Sequence, residues 1–287
     1  MSSAVHTGYP PPTDPRPPVS GSRWPRWLIA ATVVWAVLLA GLTWVSSRQD
    51  PPTVREQRTL TQAGPVVDGA VGELVAAAGG GVPALAPPEV DRGCRISPLA
   101  HGATLRRAVE LAAPVGEERA LLEQISDRLP ARWRAGVRLT PDGPRLRADA
   151  GEFVIVIGRP VADGRLRFTV DTGCRPLGDG YAGAGAGAVA AGPEADRLAE
   201  ALRALGSPAG EPEALVTAPC PGGGVARTIR SATGQVGTSP PAALAPLAGA
   251  QVVETPEVYA YWRDGVAVLA DLQPDRIVLS VTTGCPG

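Results

Sequence analysis

Four cysteines, Cys94, Cys174, Cys220 and Cys285, are the residues of this sequence whose type and spacing point most directly to chemistry. Structural zinc sites place thiols two to four residues apart, and these four have no neighbour at that spacing. An even number of widely spaced cysteines indicates disulfide bonds, which form in oxidising compartments outside the cytoplasm. We therefore predict structural disulfides and no metal site.

Catalytic side chains of other kinds are scarce in the part of the chain that carries the cysteines. His101 is the only histidine there, and no G-x-S-x-G nucleophile motif occurs. Gly178–Gly183 matches the G-x-G-x-x-G pattern of dinucleotide-binding loops, but more Gly and Ala follow it where a helix should begin. We predict a polar turn at His101, a linker at Gly178–Gly183, no cofactor and no catalytic residue.

Asp171–Gly173 resembles the Asp-Thr-Gly motif of aspartic proteases, whose chemistry needs two carboxylates that share a proton. The matching position in the second half of the chain holds Thr282–Gly284, which has no carboxylate. The pair of carboxylates is therefore incomplete within one chain. We predict that Asp171 simply ends a strand that turns into a cystine.

Arginines are concentrated between residues 128 and 147. Arg145 and Arg147 lie on one face of a predicted strand, which suits the docking of an anionic envelope polymer or a lipid headgroup. We name these two as candidate ligand-binding residues, and a merely solvated strand face is the alternative. The arginines of this region are Arg128, Arg132, Arg134, Arg138, Arg145 and Arg147.

Tyr259 and Tyr261 alternate with apolar residues, so both phenol rings point to the same side of a predicted strand. Exposed rings would form a stacking platform for a sugar or a partner protein, and the two tyrosines are our other candidate ligand-binding residues. Burial in the core is the alternative, which we favour.

These groups follow an apolar segment that is long enough to anchor the chain in a membrane. Trp27–Val45 is uncharged, and at about 1.5 Å per residue it spans roughly the 30 Å hydrocarbon layer. We predict a single-pass transmembrane helix over residues 27–46 that contacts the lipid bilayer through Trp27–Val45. A signal peptide cleaved near Val45–Ser47 is the alternative.

The cysteines orient this span, because arginine does not. Arginine is equally frequent on the two sides of the segment, so the positive-inside rule gives no direction. All four cysteines follow the segment, which predicts a cytoplasmic N-terminus and an extracytoplasmic C-terminal domain. The Pro-rich residues 1–26 are predicted to be a disordered cytoplasmic tail.

The amino-acid composition indicates the type of source genome and argues against one class of partner. The chain has 287 residues, of which 44% are hydrophobic, enough for a sizeable core. Every basic residue is Arg, and Lys and Asn are absent, as is typical of GC-rich bacterial genomes. The net charge of -1 argues against nucleic acid as a partner.

An internal repeat organises the extracytoplasmic part. Ala63–Asp68 recurs as Ala191–Asp196, and Arg165–Cys174 matches Arg276–Cys285. Each copy is predicted to contain a helix, two strands, a second helix and three or four antiparallel strands. The ambiguous Thr104–Ala113 is assigned as a strand.

The repeat predicts both the fold class and the disulfide pairing. We expect one transmembrane helix and an α+β ectodomain of two tandem repeats, each an antiparallel sheet with packed helices. The predicted boundaries are a stalk at 47–62, repeat 1 at 63–176, a Gly/Ala linker at 177–190 and repeat 2 at 191–287. Pairing Cys94 with Cys174 and Cys220 with Cys285 places one bridge in each repeat.

A duplicated scaffold without a convergent catalytic set indicates a binding or structural module of the bacterial cell envelope. Its partner would be an envelope polymer or another membrane protein, held in a groove between the repeats. One alternative is an envelope hydrolase that uses carboxylates such as Asp149, Glu152 or Asp171. Another is a signalling protein that relays ligand binding to the Pro-rich tail.

Overall fold

The computed structural model describes residues 26–49, 58–97, 100–181, 192–207, 214–234 and 239–286. The chain divides into two compact units, one that ends at Thr53 and one that begins at Val54. The predicted tail before residue 26, the stalk residues 50–57 and the linker residues 182–190 lie outside the described residues.

The first unit contains helix α1 (Arg26–Gln49). Its segment Trp27–Trp44 is long and apolar enough to cross a membrane, and none of that segment is buried. The hydroxyls of Thr32 and Thr43 donate hydrogen bonds to backbone carbonyls four residues earlier. These two hydroxyls are thus satisfied within the helix, and by length and composition Trp27–Trp44 fits the predicted span.

Repeat 1 begins with a helix that is followed by two strands, a hairpin, a third long strand, a second helix and four more strands. The strand assignment of Thr104–Ala113 is confirmed. The elements are α2 (Leu60–Ala77), β1 (Val82–Leu85), β2 (Glu89–Asp91), β3 (Arg95–Ser97), β4 (Ala100–His101), β5 (Thr104–Ala112), α3 (Glu118–Arg128), β6 (Gly136–Thr140), β7 (Gly143–Gly151), β8 (Val154–Ala162) and β9 (Arg165–Asp171).

Repeat 2 has the same order of elements in a shorter form. Its second helix shrinks to a single turn, as the Pro-rich sequence predicts. The elements are α4 (Pro193–Ala204), β10 (Ala214–Pro219), β11 (Val225–Gly234), α5 (Pro240–Leu244), β12 (Ala250–Glu254), β13 (Val258–Arg263), β14 (Val266–Leu272) and β15 (Arg276–Thr283).

Each repeat forms one antiparallel sheet, and the two sheets share a strand order. Sheet 1 runs β1-β5-β9-β8-β7-β6, with β2 also paired to β5, and sheet 2 runs β10-β11-β15-β14-β13-β12. The β3-β4 hairpin is an addition that the described part of repeat 2 lacks. The common order fits the duplication that the sequence predicts.

The start of α2 corrects one prediction. The stalk is predicted to end at residue 62 and repeat 1 to begin at residue 63, but α2 begins at Leu60 and contains Pro65 in its interior. The Thr59 side chain accepts a hydrogen bond from the backbone N–H of Gln62, and the Gln62 side chain accepts one from the backbone N–H of Thr59. This capping box starts the helix ahead of the proline, so residues 60–62 belong to α2 and not to a stalk.

Helices cover one face of each sheet. In repeat 1, α2 and α3 pack on sheet 1 around Leu74, Leu122 and Phe168, none of which is more than 1% exposed. In repeat 2, α4 packs on sheet 2 around Leu202 and Leu279. Burial of these apolar side chains is the main contribution to the stability of both layers.

The two repeats pack directly against each other, with β1 at their interface. Strand β1 lies on the second face of sheet 2 and forms a common core with it, which includes Val82. The backbone N–H of Leu85 donates to Thr228 Oγ1 at 3.0 Å, and Trp262 Nε1 donates to the Gly81 carbonyl at 3.1 Å. Sheet 2 is therefore buried on both faces.

Both disulfides pair as predicted, Cys94 with Cys174 and Cys220 with Cys285. The segment that follows the first bridge also packs, although residues 177–190 are predicted to be a linker. Tyr181 donates its hydroxyl to Asp68 at 2.6 Å, and Thr61 donates to the Gly180 carbonyl at 2.8 Å. Residues 177–181 are thus attached to α2.

Candidate functional site

Sheet 1 has one face that neither its helices nor repeat 2 covers across β6, β7, β8 and β9, except at Arg165, which pairs with Asp271 of repeat 2. Residues such as Leu146, Val156 and Phe168 point to the helices and are fully buried. The residues between them in sequence point the other way, because side chains alternate along a strand, and they are partly or fully exposed. We call this outward surface of β6 to β9 the open face.

Four arginines of the open face form one row across the strands. Arg138 is the cross-strand partner of Arg145, and Arg159 is the partner of Arg167. The β7-β8 ladder ends at the pair Leu146 and Gly158, and Arg145 and Arg159 are the next residue on each strand beyond that pair. This sets the two arginine pairs side by side. We call these four residues the arginine row.

The arginine row is poorly neutralised. Arg167 has a carboxylate oxygen of Glu110, its neighbour on β5, at 3.5 Å, and one of Glu89, which is well exposed, at 3.9 Å. Arg145 lies 3.7 Å from Asp142, whose side chain is 81% exposed, so solvent weakens that contact. The other two members form no ion pair with any residue that the structure describes. The row therefore presents a surplus of positive charge to solvent.

A parallel row on the open face contains Arg147, which is exposed and lies opposite Ile157. Ile157 in turn lies opposite Thr169 on β9. Arg145 and Arg147, which the sequence predicts as ligand-binding residues, are thus brought onto one surface. Whether they bind a ligand stays a prediction.

A third row carries the carboxylates that the hydrolase alternative requires. Asp149 and Asp171 both lie opposite Ile155, so they are two strand spacings apart, or about 10 Å. Asp149 pairs with Arg134 at 3.3 Å and Asp171 with Arg106 at 2.7 Å. The two carboxylates are separately neutralised on an open sheet and do not converge in a cleft.

The remaining candidates for chemistry lie apart from these carboxylates. Glu152 is at the tip of the β7-β8 hairpin, where it pairs with Arg58 at 2.9 Å. His101 lies on the exposed β4. No group of three or more His, Cys, Asp or Glu side chains suited to hold a metal ion occurs in the described part of the chain.

The structure separates the other arginines that the sequence groups with the candidate pair. Arg128 ends α3 and reaches the Ala77 carbonyl at the end of α2. Arg132 and Arg134 lie on and after a short 3-10 helix, Ala131–Trp133. Only Arg138 of the remaining four shares the open face with Arg145 and Arg147.

Tyr259 and Tyr261 lie in the core between sheet 2 and α4, and each is 2% exposed. Their ring centroids are 6.0 Å apart with the planes tilted by 60°. Burial raises the pKa of Tyr261 to about 12 and also raises the pKa of Tyr259. In this position neither ring is available as a stacking platform.

A cavity of about 1360 Å³ lies at the junction of the repeats, but repeat 2 supplies nearly all of its walls. Arg165 is the one lining residue from repeat 1, and it pairs with Asp271 at 3.1 Å and Glu110 at 3.4 Å. The acidic residues that line the cavity are Glu254, Glu257 and Asp271. The cavity has acidic walls and an already neutralised arginine, so it does not suit an anionic ligand.

The chain matches no protein-family model, no curated protein and no solved structure. Its function must therefore be inferred from its own geometry.

Arg159 and Arg167 are the two members of the row that sequence reasoning did not identify. Arg167 lies on a strand that the sequence predicts, and alternation along Arg165–Asp171 already places it on the same face as Thr169. Arg159 lies beyond the predicted strand Phe153–Ile157, because β8 continues to Ala162. The position of Arg159 depends on an irregularity between Pro160 and Ala162, which shifts the β8-β9 register by one residue. A strand prediction without that bulge would turn Arg159 to the wrong partner.

Proposed function

We propose that the chain is a membrane-anchored extracytoplasmic binding module of the bacterial cell envelope, and that the open face is its contact surface. The ligand is an anionic envelope component, bound through Arg145, Arg147 and their neighbours.

One comparison between the repeats carries this proposal. By their places in the shared strand order, Val258 and Ala260 of sheet 2 correspond to Arg145 and Arg147 of sheet 1. Val258 and Ala260 are fully buried, because β1 covers them. The same surface of the fold is therefore a packing interface in repeat 2 and an uncovered, charged surface in repeat 1.

The charge of the open face favours an anionic partner. Arginine presents a planar fork of N–H donors that matches carboxylate and phosphate oxygens. Several such groups on one surface also attract anions over a distance of about a Debye length, roughly 8 to 10 Å in physiological salt.

The membrane attachment rests on α1 and on the disulfides. The apolar segment Trp27–Trp44 of α1 has no buried residue, and its length fits a single lipid-spanning helix. The two intramolecular disulfides fit an oxidising compartment for the part of the chain that follows α1. A reporter that is active only after export, fused to the C-terminus, tests this orientation. An inactive reporter would contradict it.

The binding test uses the full chain in nanodiscs of zwitterionic lipid. The probe is a mixture of anionic polymers, taken from bacterial envelopes by anion exchange. We expect the double variant R145S/R147S to lose at least tenfold in affinity, while R119S/R203S, which removes two exposed helical arginines, retains binding. Equal binding by both variants would refute the open face as the contact surface.

A further inference from the structure

The arginine row lowers the stability of sheet 1, and the fold does not require arginine at these positions. Like charges that lie directly opposite each other on neighbouring strands destabilise a sheet. The row contains two such pairs, Arg138 with Arg145 and Arg159 with Arg167. A sheet that only had to fold would place small or oppositely charged side chains there.

Sheet 2 provides the comparison, because its strands are joined in the same order. None of the residues at the corresponding positions is basic, and the only charged one is an aspartate. The arginines are therefore a property of repeat 1 and not of the shared architecture. The corresponding residues of sheet 2 are Thr255, Val258, Asp271 and Val278.

The row also has a length and two boundaries. Neighbouring strands are about 4.8 Å apart, so four strands make a row about 14 Å long. Glu110 closes one end of it. On one side, four residues further along the strands, Asp149 and Asp171 are each paired with an arginine and mark where the surplus of positive charge ends. A single small anion would occupy only a part of this strip.

We infer that the arginine row binds a linear polyanion, which lies across the strands of sheet 1 and places successive oxyanion groups on successive arginines. This inference rests on the proposed function and adds the ligand class and its direction. Phosphate and carboxylate polymers share the chemistry, since both offer two oxygens to each guanidinium fork.

The test again uses the full chain in nanodiscs of zwitterionic lipid. The probes are long-chain polyphosphate, a polyuronate, and inorganic phosphate at the same total phosphate concentration as the first. We expect the row to bind at least one of the polymers, with an affinity that falls as salt screens the charges. Inorganic phosphate should bind at least tenfold more weakly, because it meets the arginines one at a time.

Variants then assign the binding to the row. R145S/R159S removes the central neighbours of the row and should weaken polymer binding about tenfold or more. R119S/R203S is the matched control and should bind as the unchanged chain does. R159K keeps the charge but loses the planar fork, so it should give an intermediate loss. Thermal melting of each variant verifies folding, and the row variants should melt no lower than the unchanged chain.

Two outcomes would overturn the inference. They are equal affinity for inorganic phosphate and for the polymers, and equal binding by the row variant and its control. If purified polymers fail but the envelope fraction still depends on Arg145 and Arg147, an acidic protein or another anion is the ligand, and only the inference fails. If the envelope fraction fails as well, the proposed function fails with it.

Discussion

Arg107 of β5 donates a hydrogen bond to Asp68 of α2 at 2.5 Å, and its side chain is fully buried. The same guanidinium donates to the Thr217 carbonyl of repeat 2 at 2.8 Å. One buried cation thus joins the first helix, its own sheet and the edge strand of the other repeat. Repeat 2 has a comparable pair, Glu194 of α4 with Arg227 of β11 at 2.9 Å.

Asp68→Asn should strongly destabilise the second unit, because it leaves the buried Arg107 charge without a counterion. Breaking a buried ion pair from one side costs about 3 to 5 kcal/mol. Denaturant unfolding of the full chain, followed by a signal from the second unit, measures the change. Asp179→Asn is the control, since Asp179 is exposed, and it should be nearly neutral. An equal effect from both variants would exclude the ion pair as the cause.

The disulfides should contribute comparably to stability, because both close long loops. The bridged cysteines are 80 and 65 residues apart, and chain entropy predicts about 4 kcal/mol for either loop. We expect C94A/C174A and C220A/C285A each to lose stability of this order in denaturant unfolding. Mapping of non-reduced peptides should recover one bridge within each repeat, and free thiols or bridges between repeats would contradict the assignment.

The sequence predicts the elements of this fold well, because each repeat confirms the pattern of the other. It also contains the clue to which sheet is covered: Arg165–Asp171 alternates polar with apolar residues, whereas Ile277–Val281 is almost continuously apolar. Alternation is typical of a strand with one solvated face, and a continuous apolar run is typical of a strand buried on both. That β1 is the covering element depends on long-range packing that no local pattern contains.

The candidate site is less predictable than the fold. Arg145 and Arg147 follow from alternation along one strand, but the arginine row depends on register across four strands. A hairpin that is shifted by one residue turns its side chains to the other face. The tyrosines show a second limit of prediction from sequence. Alternation places Tyr259 and Tyr261 on one side of a strand but does not indicate whether that side is buried.

Alkaline pH should destabilise the second unit through Tyr261. Its pKa is raised to about 12 by burial, above the value near 10 expected in the unfolded chain. The stabilisation is therefore fully present below pH 10 and is lost as the pH rises from 10 through 12. The maximum loss from this residue is about 3 kcal/mol. Unfolding measured between pH 8 and 12 should show a smaller decline in Tyr261→Phe, and an unchanged decline would exclude this residue.

Arg159→Thr should raise the stability of the second unit while it weakens binding of the proposed polyanion. The substitution relieves the repulsion with Arg167 and puts a good strand former at an exposed position. We expect a gain of about 0.2 to 1 kcal/mol in denaturant unfolding at low salt, and a smaller gain at high salt because ions screen the repulsion.

Arg106→Thr is the matched control for that prediction, because it removes an arginine at the edge of the same sheet face that does have a partner. Arg106 pairs with Asp171 at 2.7 Å and both side chains are partly exposed, so its loss should cost up to about 1 kcal/mol. The two variants delete the same side chain from neighbouring regions of sheet 1 and should shift stability in opposite directions. If both lower it, the arginines of the row support the fold, and the argument that they are retained for a ligand is wrong.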